Sequence, residues 1–137
     1  MRSKQYLMSS DANKMFAACK AFAVANNWQV SIAIVDDAGY ILQVERLDGA
    51  VVQSPEIAIL KARTAAISRV PTKSLEDVVT ERPATTTFPG RLPVQGGVPI
   101  IYKGECLGGI GVSGVKSFED EQVAIAGLKL WSEQQIE

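Results

Sequence analysis

Arg46 and Asp48 stand two positions apart in Glu45-Arg46-Leu47-Asp48-Gly49-Ala50, where an alternating apolar run gives way to a glycine corner. A guanidinium there offers a planar fork that matches a carboxylate or a phosphate. The bland alternative is an Arg46–Asp48 pair, or a subunit contact, that pins the corner. Lys61 falls three residues before Thr64 and four after Ile57, which places it near the edge of a helix's inner stripe. Burial favours a neutral amine, the form that acts as a base or attacks a carbonyl. Its plainer role is an ion pair with Glu56, Asp48 or a neighbouring subunit. Gly96 and Gly97 could expose backbone amides to an anion. Together with Gly108, Gly109, Gly111 and Gly114 they have a commoner reason, tight helix-on-sheet packing or an oligomer contact. These residues, joined by Arg91, predict a pocket between subunits lined by Arg46, Asp48, Lys61, Arg91, Gly96 and Gly97. Convergent cations and glycine amides there suit a small carboxylate-bearing metabolite.

What the composition lacks narrows the chemistry further. The chain has 137 residues, a net charge of -1 and no histidine. A Ser-His-Asp triad, a histidine base, a His-containing zinc site and a His-ligated haem are therefore out of reach for this chain alone. Ser113 is a hydroxyl without a base. The glycines match neither GxGxxG after a first strand nor a P-loop, and no metal site is expected. The near-neutral balance argues against a nucleic-acid partner. Lys61, Arg63, Arg69 and Lys73 read as a solvated helix face. Cys19 and Cys106 have no CxxC partner. Cys19, on an apolar stripe, reads as a small core residue. The stretch from Ala21 to Val35 is too short and polar to span a membrane. Residues Met1 to Gln5 lead into no apolar leader, so a cytoplasmic protein is expected.

One domain over residues 1–137 must position these groups, and at this length about two-thirds of the unfolded surface is buried on folding. Ser9-Ser10-Asp11 supplies cap oxygens for a helix that carries Ala12, Met15, Phe16, Cys19, Phe22 and Ala23 at helical spacing. Residues 30–35 predict a strand buried on both faces, Asp36-Asp37-Ala38-Gly39 a turn, and Tyr40 to Arg46 a second strand. Ser54-Pro55-Glu56 reads as a cap, a first-turn proline and an acid at the positive helix end. The helix it opens runs to about Arg69, with Ile57, Leu60, Thr64 and Ile67 expected on its inner side, and its alanines at 58, 62, 65 and 66 allow another backbone to come close. Ser74 to Val79 predicts a short helix and Glu81 to Pro93 a long loop. Val98 to Tyr102, a Lys103-Gly104 turn and Glu105 to Ser113 predict a second hairpin. Ser117-Phe118-Glu119-Asp120 opens a last helix with Val123, Ala126, Leu130 and Trp131 on its stripe. The order is α-ββ-α(α)-ββ-α, an α+β fold with an antiparallel sheet covered by helices on at least one face.

Several local patterns, in order over nearly the whole chain, resemble the GlcG/HbpS family. They are the hairpin Ser31-Ile32-Ala33-Ile34-Val35-Asp36-Asp37-Ala38-Gly39, the corner Arg46-Leu47-Asp48-Gly49-Ala50 and the helix segment Lys61-Ala62-Arg63-Thr64-Ala65. Gly96-Gly97-Val98-Pro99 and Gly109-Ile110-Gly111-Val112-Ser113-Gly114 continue the likeness, as does Asp120-Glu121 leading into Ala126-Gly127. The resemblance implies a profilin-like sheet flanked by helices, built into a homo-oligomer, with haem binders among the members. Histidine is their expected axial ligand, and this chain has none. Haem would need Tyr6, Tyr40, Tyr102, Met8 or Cys106, each with a plainer structural role. The expectation is therefore a small-ligand-binding homo-oligomer, accessory to a catabolic pathway. The alternatives are haem or tetrapyrrole binding without histidine, and a lyase or isomerase using Lys61 or a carboxylate as base.

Overall fold

Two tight turns fold the strand pairs back on themselves. In the first, Asp36 Oδ1 accepts the N–H groups of Ala38 and Tyr40, both at 2.9 Å, and Gly39 takes φ +88°. In the second, Lys103 and Gly104 both take positive φ, at 48° and 79°, the twist that suits a two-residue hairpin loop. The computed structural model describes residues 1–135, with side chains as far as residue 129. The elements are α1 (Ser9–Ala25), β1 (Ser31–Asp36), β2 (Ile41–Arg46), α2 (Ser54–Ser68), α3 (Thr72–Glu81), β3 (Gly97–Tyr102), β4 (Glu105–Ser113) and α4 (Ser117–Gln135). All strand pairs are antiparallel and the sheet order is β2-β1-β4-β3. β1 and β4 are central, which explains the double-sided burial of β1; β2 and β3 are edges.

Helices cover both faces. Ile32, Ile34, Val98, Ile100, Ile110 and Val112 form one core with Met15, Phe16 and Cys19 of α1 and Val123 and Ala124 of α4. Burial pushes the Cys19 thiol up to about 12, so it is an inert packing residue. On the other face Ala33 and Val35 meet Ala58, Ala62 and Ala66 of α2. Alternation puts Gly109 and Gly111 of β4 on this face too. A methyl group at Gly111 would overlap the Ala58 carbonyl, one at Gly109 the Ala62 carbonyl, and one at Gly97 the Lys61 carbonyl. The helix thus lies directly on bare backbone.

That closeness corrects the expected inner stripe. Alanines, Lys61 and Thr64 face the sheet, while Leu60 and Ile67 are 37% and 38% exposed. Only small residues fit over the glycines, so the bulky apolar residues turn outward. Two caps also shift by one residue. The first helix is capped at Met8, whose N–H is accepted by the Asp11 carboxylate at 2.9 Å. Ser54 lies inside α2, where its hydroxyl donates to Val51 O at 2.6 Å and contacts the Ser31 hydroxyl at 2.7 Å. α3 is longer than expected, and the following loop contains a 3-10 turn at Pro83–Thr87. Leu130 and Trp131, expected on the last stripe, lie outside the residues whose side chains are described. Among the described residues no helix is long and apolar enough to cross a membrane.

Candidate functional site

The close approach of α2 carries Lys61 into the interior. Its side chain is 3% exposed, and its Nζ lies 3.0 Å from Asp120 Oδ2 and 3.1 Å from Val112 O. Asp120, also 3% exposed, accepts the Val115 N–H at 3.1 Å through its other oxygen. Burial pushes the Asp120 carboxyl up, against the downward pull of the Lys61 charge and the Val115 N–H. The lysine at the stripe's edge is therefore a sealed one, and its partner is Asp120 rather than Glu56 or Asp48. Gly96 belongs to the same packing, because a Cβ there would fall 2.8 Å from Lys61 Nζ. Gly97 N–H donates to Thr72 Oγ1 at 2.9 Å, so the amide expected to face an anion is used internally. The structure thus brings Lys61, Gly96 and Gly97 together as a buried strut between α2, β4 and the start of α4.

Arg46 and Asp48 lie elsewhere. They line a cavity of about 400 Å³ between α1 and the end of β2, with Lys20, Trp28, Gln29 and Glu45 among its walls. Trp28 packs edge-on against Phe22 with ring centroids 5.9 Å apart, which stiffens that wall. Lys20 pairs with Glu45 at 3.0 Å. Arg46 and Asp48 form no ion pair among the described residues, with each other or with another group, so the corner is not pinned in that way. Arg91 is separate again, stacked over Phe88 at 4.9 Å from the ring centroid. Within one chain the six expected ligand residues therefore occupy three places.

A larger cavity, about 450 Å³, went unread in the sequence. Arg2, Lys4, Asp37, Arg69, Glu105 and Cys106 line it, drawn from the N-terminal segment, both hairpin turns and the end of α2. Lys4 and Asp37 form an ion pair across it. No sequence spacing links such distant segments. Arg69 ends α2 at φ 62°, in the left-handed conformation where glycine is usual. The donors do not fit a haem. Cys106 is the one candidate ligand that lines this cavity, and its thiol donates to Ala66 O at 3.5 Å and Gly108 O at 3.4 Å. Burial raises that thiol, which disfavours the thiolate a haem iron needs. The walls are mostly charged, whereas a macrocycle needs apolar ones. Tyr6, Met8 and Tyr40 are more than half exposed, and the Tyr102 ring carries Lys103 at 5.3 Å.

Known proteins share this architecture and sequence. Residues 7–129 match the family of haem degrading protein HbpS-like proteins. The protein GlcG of Escherichia coli strain K12 is 40% identical over 114 residues, which is 82% of this chain and 85% of that one. The crystal structure of HbpS aligns with a TM-score of 0.89 at 37% identity, covering 95% of this chain and 93% of that one. A crystal structure of a PduOC:heme complex aligns at 0.84 and 25% identity, over 92% and 95% of the two chains.

Proposed function

The chain belongs to the HbpS-like family, and from that membership we propose that it is a self-assembling binding protein for a small, polar, carboxylate-bearing metabolite. The ligand sits in the Arg46–Asp48 cavity. One observation carries the reading: Arg46 has no ion-pair partner among the described residues, yet it lines a cavity of about 400 Å³ with a free carboxylate two residues away. The guanidinium takes the ligand's carboxylate as a fork, and Asp48 accepts a hydroxyl or an ammonium from the same molecule. Lys20 and Glu45, already paired, complete a neutral rim.

Titration with 2-hydroxycarboxylates (lactate, glycerate, tartrate) by calorimetry tests this. One or more is expected to bind saturably, and Arg46→Ala is expected to weaken it at least tenfold, as loss of a charge-assisted pair worth about 1.5–3 kcal/mol predicts. Equal binding by wild type and variant would defeat the reading. Haemin gives the opposite control: no shifted Soret band is expected, and a shifted band would restore the haem alternative suggested by the named relatives.

Self-assembly is supported by edge strand β2. Ile41 and Val44 are exposed there, as are Tyr40 just before the strand and Val51 and Val52 after it. A bare apolar edge of this kind invites a second copy, and Arg46 ends the same strand, so the partner would border the ligand. Ile41→Lys with Val44→Lys is expected to reduce the species on gel filtration to a monomer; unchanged elution would remove β2 as the contact. An enzyme with Lys61 as base has less support, because the amine is buried against Asp120 and lines neither the Arg46 cavity nor the larger one. Both cysteines are free thiols, which suits the cytoplasm. An accessory role in a catabolic pathway completes the proposal.

A further inference from the structure

α3 has an apolar side that the core does not use. Leu75 and Val78 pack against neither core cluster, and Val78 is 41% exposed. The segment after α3 folds back over this side; local hydrogen bonds stiffen it and two longer-range ones tie it to α2 and α3. The hydroxyls of Thr85, Thr86 and Thr87 donate to the carbonyls of Arg82, Pro83 and Ala84 at 2.9, 2.8 and 2.8 Å. Leu92 N–H donates to Thr64 Oγ1 at 2.7 Å, and Gln95 N–H to Glu76 Oε1 at 3.3 Å. This is an anchored wall.

Between α3 and that wall lies a cavity of about 140 Å³ with Leu75, Val78, Phe88 and Pro93 as its floor and Arg82 and Arg91 at its rim. At ~30 Å³ of liquid per water it holds a ligand that displaces about five waters. Neither arginine forms an ion pair among the described residues. Two acids of α3 are engaged elsewhere: Lys73 pairs with Glu76 at 3.3 Å and with Asp77 at 2.8 Å. Arg91 Cζ lies over the Phe88 ring at 4.9 Å from its centroid, which holds the guanidinium beside the apolar floor.

We propose that this lobe is a second binding site, for a short aliphatic or aryl monocarboxylate. The tail lies on the Phe88–Leu75–Val78 floor and the carboxylate sits between Arg82 and Arg91. The apolar floor distinguishes it from the polar Arg46 cavity, and it stands independently of that reading.

Sodium benzoate is the probe, followed by ¹⁵N-¹H correlation spectra of the full chain. Saturable shifts are expected in the amides of Leu75 to Arg91. Arg91→Gln and Arg82→Gln should each weaken binding about tenfold, the scale of one charge-assisted contact. Benzamide, the same shape without the charge, should bind more weakly by a similar factor, and so should benzoate to Phe88→Ala. Lys14→Gln, which removes an exposed charge from α1, should leave benzoate affinity unchanged. The proposal is overturned by any of three results: unaltered affinity in the Arg82→Gln/Arg91→Gln double variant, shifts confined to residues 20–48, or no shift up to about 10 mM benzoate. The spectra themselves report whether each variant is folded.

Discussion

Replacing Lys61 with methionine is expected to destabilise the protein by about 3–5 kcal/mol, the usual cost of leaving one member of a buried ion pair behind. Methionine nearly matches the lysine stem in volume, so a packing void is not the cause. The cause is the Asp120 carboxylate, 3% exposed and left, among the described residues, with the Val115 N–H as its hydrogen-bond donor. Adding Asp120→Asn should recover more than half of the loss, because an amide oxygen still accepts that N–H and no charge remains buried. If the double variant is no more stable than Lys61→Met in urea unfolding, the two side chains do not act as a pair. The pH dependence is distinctive. Burial already raises the Asp120 carboxyl in the native protein, and loss of the lysine raises it further. A carboxyl raised on folding binds its proton more tightly when folded. Its contribution is present below the unfolded value, about 3.9, and is lost as pH rises through the folded value. The methionine variant should therefore regain stability on acidification through that window, and its gap to wild type should narrow.

Gly111→Ala is expected to cost about 3 kcal/mol, at the upper end of overpacking effects, or to prevent folding. The added methyl group would overlap the Ala58 carbonyl and crowd the Ala62 backbone. Backbone cannot change rotamer, so α2 must lift off the sheet. Lifting α2 would also loosen the Lys61–Asp120 contact, so the variant should lose stability in the same region. Gly104→Ala is the control. Nothing lies within 4 Å of a Cβ there, and the cost is only that of a positive φ, about 1–2 kcal/mol. Thermal unfolding of the two variants side by side decides it. Equal losses would mean that α2 has room to move.

The element order, both hairpins and the sheet's antiparallel character were legible because their signals are local. Strand alternation, Gly39 and Gly104 in turns and acids at helix starts act over a few residues. The inward face of α2 was legible in part: its alanines and the strand glycines pointed to a close backbone approach, but the bulky stripe was expected to face inward as well. Ile57, Leu60 and Ile67 carry more apolar area than Ala58, Ala62 and Ala66, and in an isolated helix they would be the ones to bury. The glycines of β3 and β4 reversed that preference by letting the helix come closer than a leucine allows. The corner Arg46–Asp48 was legible as two opposite charges at the end of a strand, but not whether they pair, and the structure shows no ion pair for either among the described residues. Its separation from Lys61 and Arg91 was not visible, since nothing local measures the distance between elements.

The sequence by itself determined the family, the order of helices and strands, and the absence of an imidazole for haem or base chemistry. Those follow from residue types and short-range periodicity. Only the tertiary structure decided that Lys61 is a strut and that Arg82 and Arg91 share a rim. The partner of Lys61 lies 59 residues away, and Arg82 and Arg91 are nine residues apart across a folded-back segment. Which charges become buried, and which converge, depends on how near two surfaces can approach. That distance is set by the side chains missing between them, a property of pairs of elements rather than of either one.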